Sequence, residues 1–246
     1  MRNLLFAIIA GAAIFGILFA TKLLGLGESV VPGVIVAAIA YFVLARRTFK
    51  RVEAVFATAS NHLQTMPPRI DAAIATMQQA YAFAPYQFGV RSQIDTQIGV
   101  MYYLQQEFNK ALPYLEKSLK FGHWLGGAML GVLYYKKKNN EQMKATFDLV
   151  TRKAKKQGLV WNLYAYLLSQ IGENDRAQAV LAQGVKETKG DAKVAESLLA
   201  VQNGKKIKMK GYKEQWYQFH LERPPTQYAQ APGGARMDRS SFRGRW

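Results

Sequence analysis

Three histidines, His62, His123 and His220, stand far apart in the chain, and none has a carboxylate or second ligand at metal-binding or proton-relay spacing. Cysteine is absent, which excludes disulfides, thiolate metal sites and thiol nucleophiles. No phosphate-cradling glycine loop or G-x-S-x-G elbow is present; "LGLGES" lies between two apolar runs, where no nucleotide fold is available. The expectation is a protein without catalysis, metal or cofactor. The chemistry that remains is cationic. "GKKIKMKGYK", residues 204–213, supplies Lys205, Lys206, Lys208, Lys210 and Lys213, with Tyr212 and Trp216 nearby for stacking, a make-up suited to the phosphates of RNA or of lipid. Near the C-terminus Phe242 and Trp246 alternate with Arg239, Arg243 and Arg245, the composition of a docking peptide anchored by aromatic rings.

The formal net charge is +17, and its placement matters more than its size. Residues 204–246 hold ten Lys/Arg against three acids, whereas residues 51–203 hold eighteen against twelve. A basic C-terminal region suits an anionic partner, such as headgroups, RNA or an acidic protein surface; a solubilising tail is the bland alternative. "KKK" at 136–138 falls in a turn between helices. "RKAKK" at 152–156 ends a helix, where cations suit the dipole and solvent. Residues 225–246, rich in Pro, Gly, Ser and Arg, lack any helical or strand period.

The elements that must hold this chemistry begin in an apolar setting. Leu4–Ala20 contains no charge and, as a helix, spans about 25 Å, a little short of a ~30 Å hydrocarbon core. Val30–Ala45 is a second such run, with Pro32 expected in its first turn. The short connection "TKLLGLGES" makes the two a transmembrane hairpin. Ala12, Gly16 and Ala20 on the first helix, with Gly33 and Ala37 on the second, form the expected small-residue contact. Arg46, Arg47, Lys50 and Arg51 follow the second run directly, so the positive-inside rule puts both termini in the cytoplasm, at the plasma (inner) membrane. A rival reading makes the first run a cleaved leader with Arg2 as its basic start; against it, the apolar stretch is longer than a usual signal core.

From residue 98 the pattern changes. Ile98-Gly99, Tyr102, Ala111 and Leu115 are followed by Leu130-Gly131, Tyr134, Met143 and Phe147, then by Ala165, Leu168, Ala177 and Leu181. These positions resemble the tetratricopeptide repeat, a 34-residue helix–turn–helix unit in which a small residue lets paired helices pack closely. Flanking half-matches run from Phe49 through Ala73, Met77, Ala80 and Pro85, and the second membrane helix is expected to continue into the first of them. At the far end Tyr212, Trp216, Phe219 and Pro224 keep the spacing but put aromatic rings where small residues stood, which suits a cap. The implied fold is all-α: a two-helix membrane hairpin (1–47), a solenoid of three to five helix pairs (48–224) and an irregular basic tail (225–246).

In that family a peptide usually lies on the concave face of the first helix of each pair. Carried over by repeat position, the resemblance implies a partner groove of Gln93, Thr96, Val100 and Tyr103; Leu125, Ala128, Val132 and Tyr135; and Leu159, Asn162, Tyr166 and Ser169. Asn162 is the one residue there suited to gripping a terminal carboxylate, so an apolar segment or a helix is the expected ligand. The leading expectation is a membrane-anchored adaptor that binds other proteins, as subunits of a membrane complex. The alternative is a tether for RNA, ribosomes or anionic lipid through the lysine-rich C-terminal region.

Overall fold

The computed structural model describes residues 1–22, 25–65 and 68–225, and every regular element among them is helical. The chain divides into two compact units, Met1–Asp95 and Thr96–Trp246.

In the first unit, α1 (Arg2–Ala20) packs along α2 (Leu26–Gln64), and α2 carries α3 (Ile70–Gln79) on its second half. α2 starts earlier than Pro32 suggests, because the Gly25 N–H donates to the Glu28 carboxylate and Ser29 Oγ donates to the Gly25 carbonyl, which caps the helix four residues before Val30. Pro32 therefore sits inside the helix. Nothing breaks α2 after the apolar stretch: residues 46–64 contain neither Gly nor Pro, and the helix runs unbroken for 39 residues, about 58 Å. The expected boundary at residue 47 falls in the middle of it. Beyond that point α2 becomes amphipathic, burying Val52 and Ala59, while α3 buries Ala73, Ile74 and Met77.

α1 and α2 are long and apolar enough to cross a membrane. Only 17% and 11% of their most apolar stretches are buried within the chain. Leu5, Ile8, Ile9, Val34, Ile39 and Phe42 all point outward. The contact between the two helices runs along Asn3, Ala7 and Gly11. A Cβ added to Gly11 would lie 2.5 Å from the Gly33 carbonyl oxygen and 2.7 Å from the Ala37 Cβ. The second-helix pair Gly33/Ala37 is thus as expected, but Ala12, Gly16 and Ala20 face away, and nothing lies within 4 Å of a Cβ on Gly16. Asn3 fixes the phase. Its buried amide donates to Thr48 Oγ1 (2.9 Å) and to Gln87 Oε1 (3.3 Å), and the Gln87 amide donates to the Tyr41 hydroxyl (2.7 Å). The backbone N–H groups of Arg2 and Asn3, which the helix itself cannot satisfy, donate to the carbonyls of Pro85 and Tyr86.

The division between the units falls within α4 (Val90–Leu104). α5 (Phe108–Ser118), α6 (Trp124–Lys136), α7 (Asn140–Lys153), α8 (Gly158–Gln170), α9 (Asn174–Glu187) and α10 (Ala192–Gln202) follow, joined by short turns. Alternate helices begin at Val90, Trp124, Gly158 and Ala192, a constant step of 34 residues. Close approach explains the small residues. A Cβ on Gly99 would lie 2.7 Å from Leu115, and one on Gly131 would run into the Phe147 ring. Polar ties link successive pairs: Tyr164 donates to Asp148, which also pairs with Arg176, and Lys144 pairs with Glu173.

The two candidate faces of α1 are separable by substitution. Gly11→Leu should weaken the α1–α2 contact by about 1–3 kcal/mol or more, because backbone rather than a pliable side chain opposes the new atoms. Gly16→Leu should be near neutral. Thermal unfolding in detergent, with cysteine crosslinking of positions 11 and 33 as a second readout, checks both; equal effects would mean that α1 packs on the other face.

Candidate functional site

The residues assigned by repeat position lie on α4, α6 and α8, and most of them are closed off. Tyr103, Ala128 and Val132 have no exposed surface, and Thr96, Leu159 and Asn162 are buried as well. Val100, Leu125, Tyr135, Tyr166 and Ser169 are half-buried. Gln93 is exposed and belongs to the first unit. A partner docking on the folded chain cannot reach Ala128, Val132 or Tyr103, so the groove assignment is corrected here.

What covers this face is the chain's own segment 204–221. α10 ends at Asn203, Gly204 turns in the left-handed region (φ 67°), and Lys205 N–H bonds back to the Ala200 carbonyl. The chain then alternates: Ile207 and Met209 enter the core, while Lys206, Lys208 and Lys210 stay exposed. A single 3-10 turn, Met209–Tyr212, brings the Tyr212 hydroxyl to the Asn162 amide, which donates to it at 2.7 Å. One helical turn, α11 (Glu214–Tyr217), then seats Trp216 edge-on against Tyr166 with ring centroids 5.0 Å apart. Trp216 and Phe219 are fully buried. The Tyr103 hydroxyl donates to the Phe219 carbonyl (2.7 Å), and Lys136 Nζ donates to the His220 carbonyl (3.0 Å) while lying 4.4 Å from the Phe108 ring centre. The contacts expected of a bound peptide are thus made by residues of the same chain.

Apolar fit in this seam is better than polar fit. Trp216 Nε1, His220 Nε2, Asn162 Oδ1, Ser169 Oγ and Gln105 Oε1 are buried side-chain atoms without a hydrogen-bond partner. Burial, with the nearby Lys136 charge as a second cause, pushes the His220 imidazole down to about 4. Burial pushes the Lys136 ammonium down to about 8. Lys136, expected in the turn, is the last residue of α6 and is half-buried. Lys137 and Lys138 are exposed as expected.

The lysines of the basic strip, Lys205, Lys206, Lys208, Lys210 and Lys213, are all exposed, but the rings that were to stack beside them are not. Trp216 is buried and Tyr212 is half-buried beneath Lys193, whose Nζ lies 4.5 Å from its ring centre. Phe242, Arg243, Arg245 and Trp246 lie outside the described residues. Among the described residues no group of His, Asp and Glu could hold a metal ion. The aromatic run Tyr212–Trp216–Phe219 marked a cap in the sequence; what periodicity did not reveal is that the cap lies on the face assigned to a partner. Searches of protein-family models, curated proteins and solved structures found no match for this chain.

Two outcomes follow from this seam. Both His220 and Lys136 are depressed in the docked state, so a released segment binds more protons below their ordinary values. Docking should weaken as pH falls from about 6.5 toward 4, through His220, and should strengthen from about 8 to 10.5, through Lys136. Hydrogen exchange of residues 214–221 across that range reads this directly, and a flat profile would remove His220 from the seam. Trp216→Ala should cost about 3–5 kcal/mol. It should expose Lys210 and Lys213 to trypsin while circular dichroism keeps the helical signal of α6 and α8; loss of that signal would make the segment part of the core rather than a cover.

Proposed function

We propose that this chain is a membrane-anchored scaffold of the tetratricopeptide type, without catalysis of its own, that holds partner proteins of a membrane complex at the cytoplasmic face of the plasma (inner) membrane. One observation carries the reading. α2 is a single helix whose first half is membrane-length, apolar and outward-facing, and whose second half is amphipathic and buries Val52 and Ala59 with α3. The apolar half of α2 and the half that packs with α3 are therefore one continuous helix. The 34-residue step of helix starts and the close approach at Gly99 and Gly131 support the repeat-family assignment. Exposed Arg46, Arg47, Lys50 and Arg51 after the apolar half of α2 support a cytoplasmic placement of both termini.

In this reading the outward apolar faces of α1 and α2 make lateral contacts with other membrane helices. Segment 204–221 is the terminal cover that a stacked array needs. Alkaline carbonate should leave the full chain in the membrane pellet. Protease added to intact spheroplasts should spare a C-terminal tag. Purification in mild detergent should bring down other membrane proteins, identified by mass spectrometry. Release by carbonate would end the anchor reading, digestion of the tag would reverse the topology, and a chain that purifies alone would end the scaffold reading.

A further inference from the structure

We propose that the lysine-walled depression between α10 and residues 205–211 is a binding site for the headgroups of anionic phospholipids. The depression measures about 500 Å³ and is lined by Lys193, Lys205, Lys206, Lys208 and Lys210, with Leu199 beside them. Its lysines are aimed by the core. Because Ile207 and Met209 are buried, the alternation of an extended chain turns Lys206 and Lys208 outward on one face, about 7 Å apart. The wall is held at both ends: Lys205 N–H bonds to the Ala200 carbonyl, and Lys193 Nζ donates to the Gly211 carbonyl at 2.9 Å. Among the described residues no acid lies within ion-pair distance of Lys205, Lys206, Lys208 or Lys210, although Glu196 is part of the lining.

Two observations choose lipid over single-stranded nucleic acid. Of the aromatic platforms that a strand of bases would need, Trp216 is buried and Tyr212 is half-buried, its hydroxyl held by Asn162 and its ring beneath Lys193. In their place the depression presents Leu199, 60% exposed, an aliphatic side chain suited to the acyl boundary beneath a layer of headgroups. The proposal rests on the anchored reading, which keeps such headgroups at high effective concentration. Clustered lysines then add attraction for an anionic surface.

The test uses the full chain in mild detergent with water-soluble dioctanoyl phosphatidylglycerol, dioctanoyl phosphatidylcholine and an oligouridylate as probes. Binding is read by native mass spectrometry and by protection of Lys205–Lys210 from acylation. The anionic lipid should bind at least tenfold more tightly than the zwitterionic one. The combined variant Lys205→Gln, Lys206→Gln, Lys208→Gln, Lys210→Gln should lose that preference at unchanged melting temperature, while Lys117→Gln, Lys120→Gln should keep it. No preference for phosphatidylglycerol, equal loss in both variants, or tighter protection by the oligouridylate would overturn the proposal. A chain stripped from membranes by carbonate that still binds phosphatidylglycerol would end the anchor reading and leave this site standing.

Discussion

Apolar surface left in water is costly, and the long apolar helices of this chain carry more of it than their neighbours cover. The surplus is of order 25 cal/mol per Å², so a few uncovered helix faces rival the net stability of a domain. The two units meet the demand differently. In Met1–Asp95 the outer faces of α1 and the first half of α2 stay uncovered within the chain, with Ile8, Ile9, Val34 and Phe42 exposed, and both helices are long and apolar enough to cross a membrane. In Thr96–Trp246 the helices share one buried core, to which Trp216, Tyr217 and Phe219 from the chain's own C-terminal region contribute. The second solution takes polar groups out of water, and burial lowers the pKa of both His220 and Lys136.

Periodicity carries the parts of this architecture that depend on local spacing. The 34-residue step, the small residues at Gly99 and Gly131, and the passage of the second apolar run into a helical element are all legible, because each depends on residues a few turns apart. The phase of α1 is not. Ala12, Gly16 and Ala20 and the set Asn3, Ala7 and Gly11 are both small-residue stripes at a four-residue step, and propensity does not rank them. The choice is made by Asn3, whose amide needs partners, and those partners, Thr48 and Gln87, are 45 and 84 residues away. Similarly, the start of α2 turns on a backbone cap at Gly25 rather than on Pro32, the stronger signal in the sequence.

The face of α4, α6 and α8 shows the same limit at the level of function. Repeat position says which side of a helix is concave and apolar; it does not say what fills it. Val132 and Trp216 could each have been read as a surface anchor, and only the folded core that contains both shows them to be interior. The carboxylate-clamp position is instructive. Asn162, the one polar residue suited to a ligand, spends its amide on the Tyr212 hydroxyl and the Lys193 carbonyl, so the capacity expected to face a partner is used within the fold.

The covering segment also links stability to surface charge. In "KIKMK", residues 206–210, Ile207 and Met209 enter the core while Lys206, Lys208 and Lys210 stay outside, by way of an extended Lys208 and the 3-10 turn that begins at Met209. The charged strip is therefore not an independent tail with a net charge to be counted. Its geometry is inherited from the apolar residues between its lysines, and from Trp216 and Phe219, which hold the following turn in place. A one-residue slip of this segment would bury lysines and expose Ile207 and Met209, a change that both faces oppose. The register that closes the array is for that reason also the register that defines the cationic surface, and a change in one is felt in the other.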